Sequence, residues 1–264
     1  MIEPLSVVLP MHYHHSNTSM QRKVARHLGA FRKTVDTLKQ YYEDLTKQSS
    51  PASSPKRSDV FPYPTDFTSL CDSGRRRFEY KTQFPHKLLF KGTLDDEKRV
   101  YIKFVTRYSK EAHLACASLG CAPILHGFEV IPGGWFMVIM EDLEEDYIRL
   151  SEYSDVHNDS PTAKLLDNIE NALRQLHGQH YVHGDARDTN ILVSRTDRTK
   201  FALVDFDWAG RMKEVRYPMN VNRTANLWRP DDAIDGALIK PEHDLAMLND
   251  IKKRCGMGRS HNHM

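Results

Sequence analysis

Residues 181–210 read YVHGDARDTNILVSRTDRTKFALVDFDWAG, and this stretch decides the fold. It holds two short apolar runs, Ile191–Val193 and Phe201–Val204, which are separated by a polar segment at 194–200. Short apolar runs bounded by polar turn residues are typical of strands joined in a hairpin. We therefore predict a β-hairpin whose outer ends lie side by side.

Oxygen-bearing side chains flank the predicted hairpin at both ends. Asp185 and Asn190 precede its first strand and Asp205 follows its second strand, so the hairpin is expected to bring them together. Phosphoryl transfer uses metal ions that neutralise the phosphates and a carboxylate that orients the attacking hydroxyl. Mg²⁺ prefers hard oxygen ligands and usually takes one or two carboxylates from the protein. The pattern therefore favours a phosphoryl-transfer site that uses Mg²⁺.

The same residues belong to two motifs that resemble those of the protein-kinase-like superfamily. HGDARDTN at 183–190 keeps the Asp-to-Asn spacing of the kinase catalytic loop, and DFDWAG at 205–210 resembles the D-F-G motif. Gly184, where many kinases have arginine, is the form seen in aminoglycoside- and choline-kinase-like branches. The two motifs together look like those of a group of small kinase-like proteins from fungi.

This resemblance implies ATP and Mg²⁺ as cofactors and gives each residue a role. Asp185 is the candidate that orients the acceptor hydroxyl, and Arg187 is placed to neutralise the charge of the γ-phosphate. Asn190 and Asp205 are the candidate metal ligands. Asp207 replaces the usual glycine; we expect it on a solvated turn, with a further acidic oxygen at the site as the alternative.

A lysine in a predicted strand matches a further part of the kinase pattern. The run Val100–Phe104 carries Lys103 among apolar neighbours and resembles the V-A-I-K strand, whose lysine binds the nucleotide's phosphates. A short helix is predicted at 110–119, ended by Gly120. Glu111 is the one acidic residue of that helix, so it is the candidate ion-pair partner of Lys103.

Of two segments expected at the nucleotide site, one matches the kinase pattern and the other departs from it. The segment Met140–Leu143 matches the linker between kinase lobes, where backbone groups of Glu141 and Leu143 would contact adenine. The segment that should cover the phosphates, KTQFPHK at 81–87, contains no glycine. Close approach of the backbone to phosphates is harder without glycine, which weakens the expectation of tight ATP binding.

The expected fold is of the α+β class: a bilobal protein-kinase-like fold with a small β-rich lobe and a truncated helical lobe, plus an N-terminal helix. The segments that we predict, in chain order, are a disordered tail (1–20), an N-terminal helix (21–47), a Ser/Pro linker (48–60), the kinase-like domain (61–252, with the small lobe at 61–140 and the large lobe at 144–252) and a second disordered tail (253–264).

The N-terminal helix has apolar residues at three-, four- and seven-residue steps, which places them on one face. They are Val24, Leu28, Phe31, Val35, Leu38 and Leu45. We expect this face to pack on the kinase-like domain; a partner-binding or coiled-coil helix is the alternative.

Composition narrows the setting of the protein. A net charge of +2 over 264 residues gives no reason to expect a nucleic acid or a membrane as partner. The four cysteines form no CxxC pair, which favours reduced thiols in an intracellular, cytoplasmic protein. No apolar run approaches the roughly 20 residues that span a bilayer.

These observations lead to two functional hypotheses. The first is a phosphotransferase that moves the γ-phosphate of ATP to the hydroxyl of an unidentified acceptor, a protein Ser or Thr in the first place and a small molecule in the second. The alternative is a pseudokinase that acts as a binding or scaffold module, which the glycine-free segment at 81–87 favours.

Overall fold

The computed structural model of the protein describes residues 18–48, 62, 64–223 and 227–257. By its internal contacts the chain divides into two units, Met1–Tyr63 and Pro64–Met264. The predicted linker at 48–60 lies outside the described residues except for Gln48, and so do residues 1–17 of the predicted N-terminal tail.

The first unit contains helix α1, Thr18–Gln48, which is 31 residues long. It begins three residues before the predicted helix at 21–47. Leu28, Phe31, Val35 and Leu38 on its apolar face are exposed. Both expectations for this face, packing on the kinase-like domain or binding a partner, stay predictions.

The second unit begins with a six-stranded antiparallel sheet in the order β1-β2-β3-β4-β6-β5. Its elements in chain order are β1 (Asp66–Thr68), β2 (Arg75–Gln83), β3 (Leu89–Leu94), β4 (Arg99–Val105), α2 (Lys110–Ser118), β5 (Leu125–Ile131) and β6 (Trp135–Glu141). Buried residues alternate with partly buried ones along β3 and β4, which turns one face of the sheet towards its core.

The sheet curls until its two edges meet. Ser69, next to β1, forms an isolated antiparallel bridge with Gly127 of β5, and the Leu70 amide donates to the His126 carbonyl over 2.9 Å. The curled sheet encloses an aromatic core made of Phe67, Phe78, Phe90 and Phe104. Joining the edges leaves fewer unpaired backbone groups at the sheet's ends.

The rest of the second unit is smaller in sheet and richer in helix. It comprises β7 (Tyr147–Arg149), α3 (Tyr153–His157), α4 (Ala163–Gly178), β8 (Tyr181–Val182), β9 (Ile191–Ser194), β10 (Phe201–Leu203), β11 (Gly210–Arg211) and α5 (Pro241–Met257). The strands form two small sheets, in the orders β10-β9-β7 and β11-β8.

The predicted hairpin is confirmed as β9 and β10, with Ile191 opposite Leu203. Helix α4 begins after Thr162, whose hydroxyl accepts a hydrogen bond from the Leu165 amide and caps the helix. One correction concerns the C-terminus: α5 continues to Met257, so residues 253–257 are helical and not part of a disordered tail.

We predict that Gly127→Ala destabilises the protein by roughly 1–3 kcal/mol, because overpacking a core has this cost. A Cβ at this position would lie 2.2 Å from Cδ2 of Phe67, and the Phe67 ring is enclosed in the aromatic core. Urea unfolding measures the effect. The control is Gly178→Ala, where a Cβ meets no atom within 4 Å; equal stability losses in the two variants would contradict the prediction.

Candidate functional site

The site is anchored by a carboxylate near the start of α5. Asp244 has no exposed surface. Its oxygens accept hydrogen bonds from the backbone amides of His183, at 2.9 Å, and Gly184, at 2.8 Å, and from the His177 ring at 3.0 Å. Buried carboxylates need such donors, because burial without them is costly. Asp244 therefore fixes the start of the loop that carries Asp185.

Gly184 is required by the geometry of this loop. Its φ of +80° lies in the left-handed region, and a Cβ there would stand 2.8 Å from the Trp208 carbonyl oxygen. The glycine thus lets the loop after β8 approach the segment that follows Asp207.

Asp185 is buried, and both of its carboxylate oxygens are bound. Oδ2 accepts a hydrogen bond from Asn190 Nδ2 at 2.8 Å and lies 3.1 Å from Arg187 Nε. Oδ1 accepts from Arg229 Nη2 at 2.5 Å. The structure therefore brings the predicted Asp185, Arg187 and Asn190 together and adds an arginine that the sequence interpretation missed.

Arg229 could have been noticed only through its neighbours. It stands between a tryptophan and a proline in Trp228-Arg229-Pro230, far from both motifs in sequence. A charged residue in an apolar setting is a weak signal of a buried ion pair, because such residues are seldom buried unless paired.

The hairpin places the two predicted metal ligands side by side. The amide of Val204 donates to the Asn190 carbonyl over 3.0 Å, so Asp205 follows directly on the residue that pairs with Asn190. The Asn190 Nδ2 group faces Asp185, which leaves its side-chain oxygen for other contacts. Asp205 has a φ of +69°, a strained value for a residue other than glycine.

Lys103 of β4 makes different contacts from those predicted. Its ammonium lies 2.6 Å from Asp205 Oδ1 and 2.6 Å from Asp207 Oδ1. Glu111, the predicted partner, is exposed on α2. The predicted ion pair between Lys103 and Glu111 is therefore wrong for this structure, because the carboxylates of the DFD motif occupy the ammonium.

The position of Asp207 is a second correction. We expected a solvated turn, but its side chain is 28% exposed and binds Lys103 beside Asp205. Glycine at this position could not supply the second carboxylate. The alternative interpretation, a further acidic oxygen at the site, fits these contacts.

The ionisation of this cluster follows from burial and charge. Burial raises the pKa of Asp207 to about 7, with neighbouring Asp205 adding to the rise, although Lys103 opposes it. Burial acts on Asp205 and Lys103 as well, but their mutual attraction outweighs it, so the pKa of Asp205 is lowered and that of Lys103 is raised. Lys103 and Asp205 are thus a charged pair, and Asp207 is the carboxyl group that takes up a proton first.

Three rings connect the helix α2 to both motifs. The His113 ring stacks on the Phe206 ring with centroids 4.6 Å apart, and the centroid of the His183 ring lies 5.1 Å from that of Phe206. His113 Nε2 is 2.8 Å from the Pro123 carbonyl, an acceptor, so this nitrogen carries the hydrogen and Nδ1 accepts from the Tyr108 hydroxyl at 2.7 Å. Burial lowers the pKa of His113 to about 4, and the ring is neutral at pH 7.

The predicted adenine contacts are restricted by hydrogen bonds within the protein. The Glu141 amide donates to the Ile124 carbonyl, and the Leu143 carbonyl accepts from the amides of Asp146 and Tyr147. Adenine contact through the remaining groups, the Glu141 carbonyl and the Leu143 amide, stays a prediction.

The glycine-free segment at 81–87 is shorter as a loop than predicted, because β2 continues to Gln83. The Phe84 amide donates to the Leu89 carbonyl over 2.9 Å and closes a tight turn. The Phe84 ring lies 5.7 Å from that of Tyr101, a β4 residue. The predicted phosphate-covering segment thus carries an aromatic side chain that packs on β4.

The donor set near the hairpin suits Mg²⁺. Within the described ranges, no three His, Cys, Asp or Glu side chains form a group that could hold a metal ion. The pair Asn190 and Asp205 is the set that kinases use, one amide oxygen and one carboxylate, completed by phosphate and water.

None of the helices in the described part of the chain has the length and apolar character needed to cross a membrane.

Comparisons with known proteins show a protein-kinase-like fold. The family model of the Lipopolysaccharide kinase (Kdo/WaaP) family matches residues 133–228. Among solved structures, the Cydia pomonella granulovirus kinase PK-1 matches with a TM-score of 0.53 and 14% sequence identity, over 67% of each chain. Vaccinia related kinase 3 matches with a TM-score of 0.49 and 15% identity, over 82% of this chain and 72% of the other. A search of curated protein sequences found no match.

We predict that His113 makes the stability of the protein fall as pH drops from about 6.5 to about 4. In this interval an unfolded histidine, whose pKa is about 6.5, takes up a proton that folded His113 does not, which favours unfolding. His113→Gln removes this contribution, so its melting temperature should decline less across the interval than that of the wild type.

The control for this measurement is His86→Asn, which changes an exposed histidine on the turn between β2 and β3. It should keep the wild-type dependence on pH. If His113→Gln and the wild type lose melting temperature in parallel, the buried neutral state of His113 is disproved.

Proposed function

Because this chain has the protein-kinase-like fold, we propose that it is an ATP- and Mg²⁺-dependent phosphotransferase that transfers the γ-phosphate of ATP to a hydroxyl acceptor. The observation that carries the proposal is one chain of contacts. Lys103 binds Asp205, Asp205 adjoins Asn190 across the hairpin, and Asn190 binds Asp185. These are the residue types that phosphoryl transfer requires, in one cluster.

Each residue has a role in nucleotide binding. The Lys103 ammonium binds the phosphates once it exchanges its carboxylate partners for them, and Glu141 and Leu143 contact adenine through the Glu141 carbonyl and the Leu143 amide. Asn190 and Asp205 would hold Mg²⁺, which would supply positive charge to neutralise the phosphates. Asp207, whose carboxyl group lies beside Asp205 and 2.6 Å from the Lys103 ammonium, supplies a further acidic oxygen next to the proposed metal ligands.

Asp185 orients the acceptor hydroxyl and receives its proton as the oxygen attacks phosphorus. Arg187 is partly exposed, with its Nε beside Asp185, so its guanidinium can reach the transferring phosphate. The protein does little covalent chemistry in this reaction; positioning and electrostatic stabilisation supply most of the rate.

The acceptor that we propose first is a Ser or Thr hydroxyl of a protein. The matched granulovirus structure is that of a kinase. A small-molecule hydroxyl is the second candidate, because the matched family model describes lipopolysaccharide kinases, and it covers the segment that carries both motifs.

A second candidate function, a pseudokinase scaffold, rests on a different observation. Phe84 and its glycine-free turn stand where phosphates need close backbone approach, and Lys103 is already bound to two carboxylates. A scaffold, however, has no physical need for Asp185, Asn190 and Asp205 in addition to Lys103.

We predict that calorimetry detects ATP binding that depends on Mg²⁺, and that Asp205→Ala weakens it at least about tenfold, the order of effect expected for a lost metal ligand. Asp185→Asn should keep this binding and lower the rate of phosphoryl transfer by roughly 100-fold or more, the usual contribution of a positioned proton acceptor. The control is Asp155→Asn, an exposed residue of α3, which should leave both quantities unchanged.

Transfer is measured as ADP formation from ATP with Mg²⁺, with and without a mixture of protein acceptors. Absence of ATP binding in every condition would reject the phosphotransferase and support the scaffold. Binding together with undiminished transfer by Asp185→Asn would reject the role of Asp185 alone.

A further inference from the structure

Arg229 is a fully enclosed charged side chain at the site. Its side chain has no exposed surface, compared with 29% for Arg187. Its guanidinium carbon lies 4.6 Å from the centre of the Trp208 ring. An arginine in this position cannot swing out to meet a nucleotide or an acceptor, so any function it has is exerted through its neighbours.

The guanidinium is fixed by contacts on each of its nitrogens. Nε donates to the Asn222 carbonyl over 3.1 Å, Nη1 to the Met247 sulphur over 3.5 Å, and Nη2 to Asp185 Oδ1 over 2.5 Å. Met247 belongs to α5, and Trp208 directly follows the DFD motif. Arg229 therefore joins Asp185 to two elements that are themselves held in place.

The contact with Arg229 fixes the orientation of the Asp185 carboxylate. Asn190 binds Oδ2 and Arg229 binds Oδ1, so the two carboxylate oxygens are held by separate side chains. The plane of the carboxylate is thereby set. Each carboxylate oxygen can accept two hydrogen bonds, and Oδ1, with Arg229 as its donor, keeps a lone pair for a hydroxyl.

We propose that Arg229 is a positioning residue, which holds the Asp185 carboxylate at the angle at which it receives the acceptor's proton. The proposal rests on the function proposed above. A misplacement of about 1 Å at a reacting group can cost about 100-fold in rate, and a charge-assisted hydrogen bond from a planar guanidinium is the type of contact that prevents it.

The test measures ADP formation and ATP binding in the full chain for Arg229→Met, which keeps similar length and removes the charge. We expect a loss in kcat on the order of 100-fold. The KM and the calorimetric Kd for ATP should stay within about twofold of the wild type, because Arg229 contacts none of the nucleotide-binding residues. Arg229→Lys keeps the charge but not the fork of donors, so its kcat should lie between those of the wild type and Arg229→Met.

The matched control is Arg223→Gln. Arg223 lies in the same segment and donates to backbone carbonyls of Pro230 and Ala233, with no contact to Asp185 among its hydrogen bonds. It should lower the melting temperature and leave kcat unchanged. A loss of kcat in Arg223→Gln equal to that in Arg229→Met would show that only the order of the segment matters, and would overturn the proposal.

A rescue experiment covers variants that fold poorly. Arg229→Ala leaves a buried space shaped for a guanidinium, and added methylguanidinium should restore part of kcat in a saturable way without changing the KM for ATP. Absence of rescue in a folded Arg229→Ala protein would count against the proposal. A wild-type protein that forms no ADP would instead overturn the proposed function itself, whereas an active wild type with unaffected Arg229 variants would overturn this inference alone.

Discussion

The buried carboxylate of Asp244 is the constraint on which the rest of the site depends. It joins the first turn of α5 to the backbone amides of His183 and Gly184 and thereby sets the position of the residue that follows, Asp185. The donors are backbone groups, so the anchor holds the path of the chain rather than one side chain. With this path fixed, the neighbouring rings of His183 and Phe206 pack in one arrangement, and the two motifs face each other.

The segment between β11 and α5 shows how the chain stays ordered with little regular structure. Asp235 accepts from the amides of Asn220 and Val221, both at 2.8 Å, in the manner of a cap. Arg223 binds backbone carbonyls further along the segment. Side chains here satisfy backbone groups that a helix or strand would otherwise pair, and Arg229 lies in the same segment.

The sequence predicted the features that depend on residues close together in the chain. The hairpin of β9 and β10 and the adjacency of Asn190 and Asp205 follow from two short apolar runs and the polar turn between them. The partner of Lys103 could not be predicted from local patterns, because the choice between Glu111 and the DFD carboxylates depends on how the sheet faces the hairpin. Arg229 was out of reach for the same reason: 44 residues separate it from Asp185, and no periodic pattern records such a contact.

The charges of the ion cluster at Lys103 balance one another within the protein. The Lys103 ammonium lies 2.6 Å from one carboxylate oxygen of Asp205 and 2.6 Å from one of Asp207. An anion that binds the ammonium therefore leaves the carboxylates without their partner. A cation that binds the carboxylates leaves the ammonium without its partner. Ligands of opposite charge therefore favour each other's entry, and since thermodynamic linkage is reciprocal, each strengthens the other by the same factor. The three side chains therefore favour joint binding of an anion and a cation over binding of either ion alone.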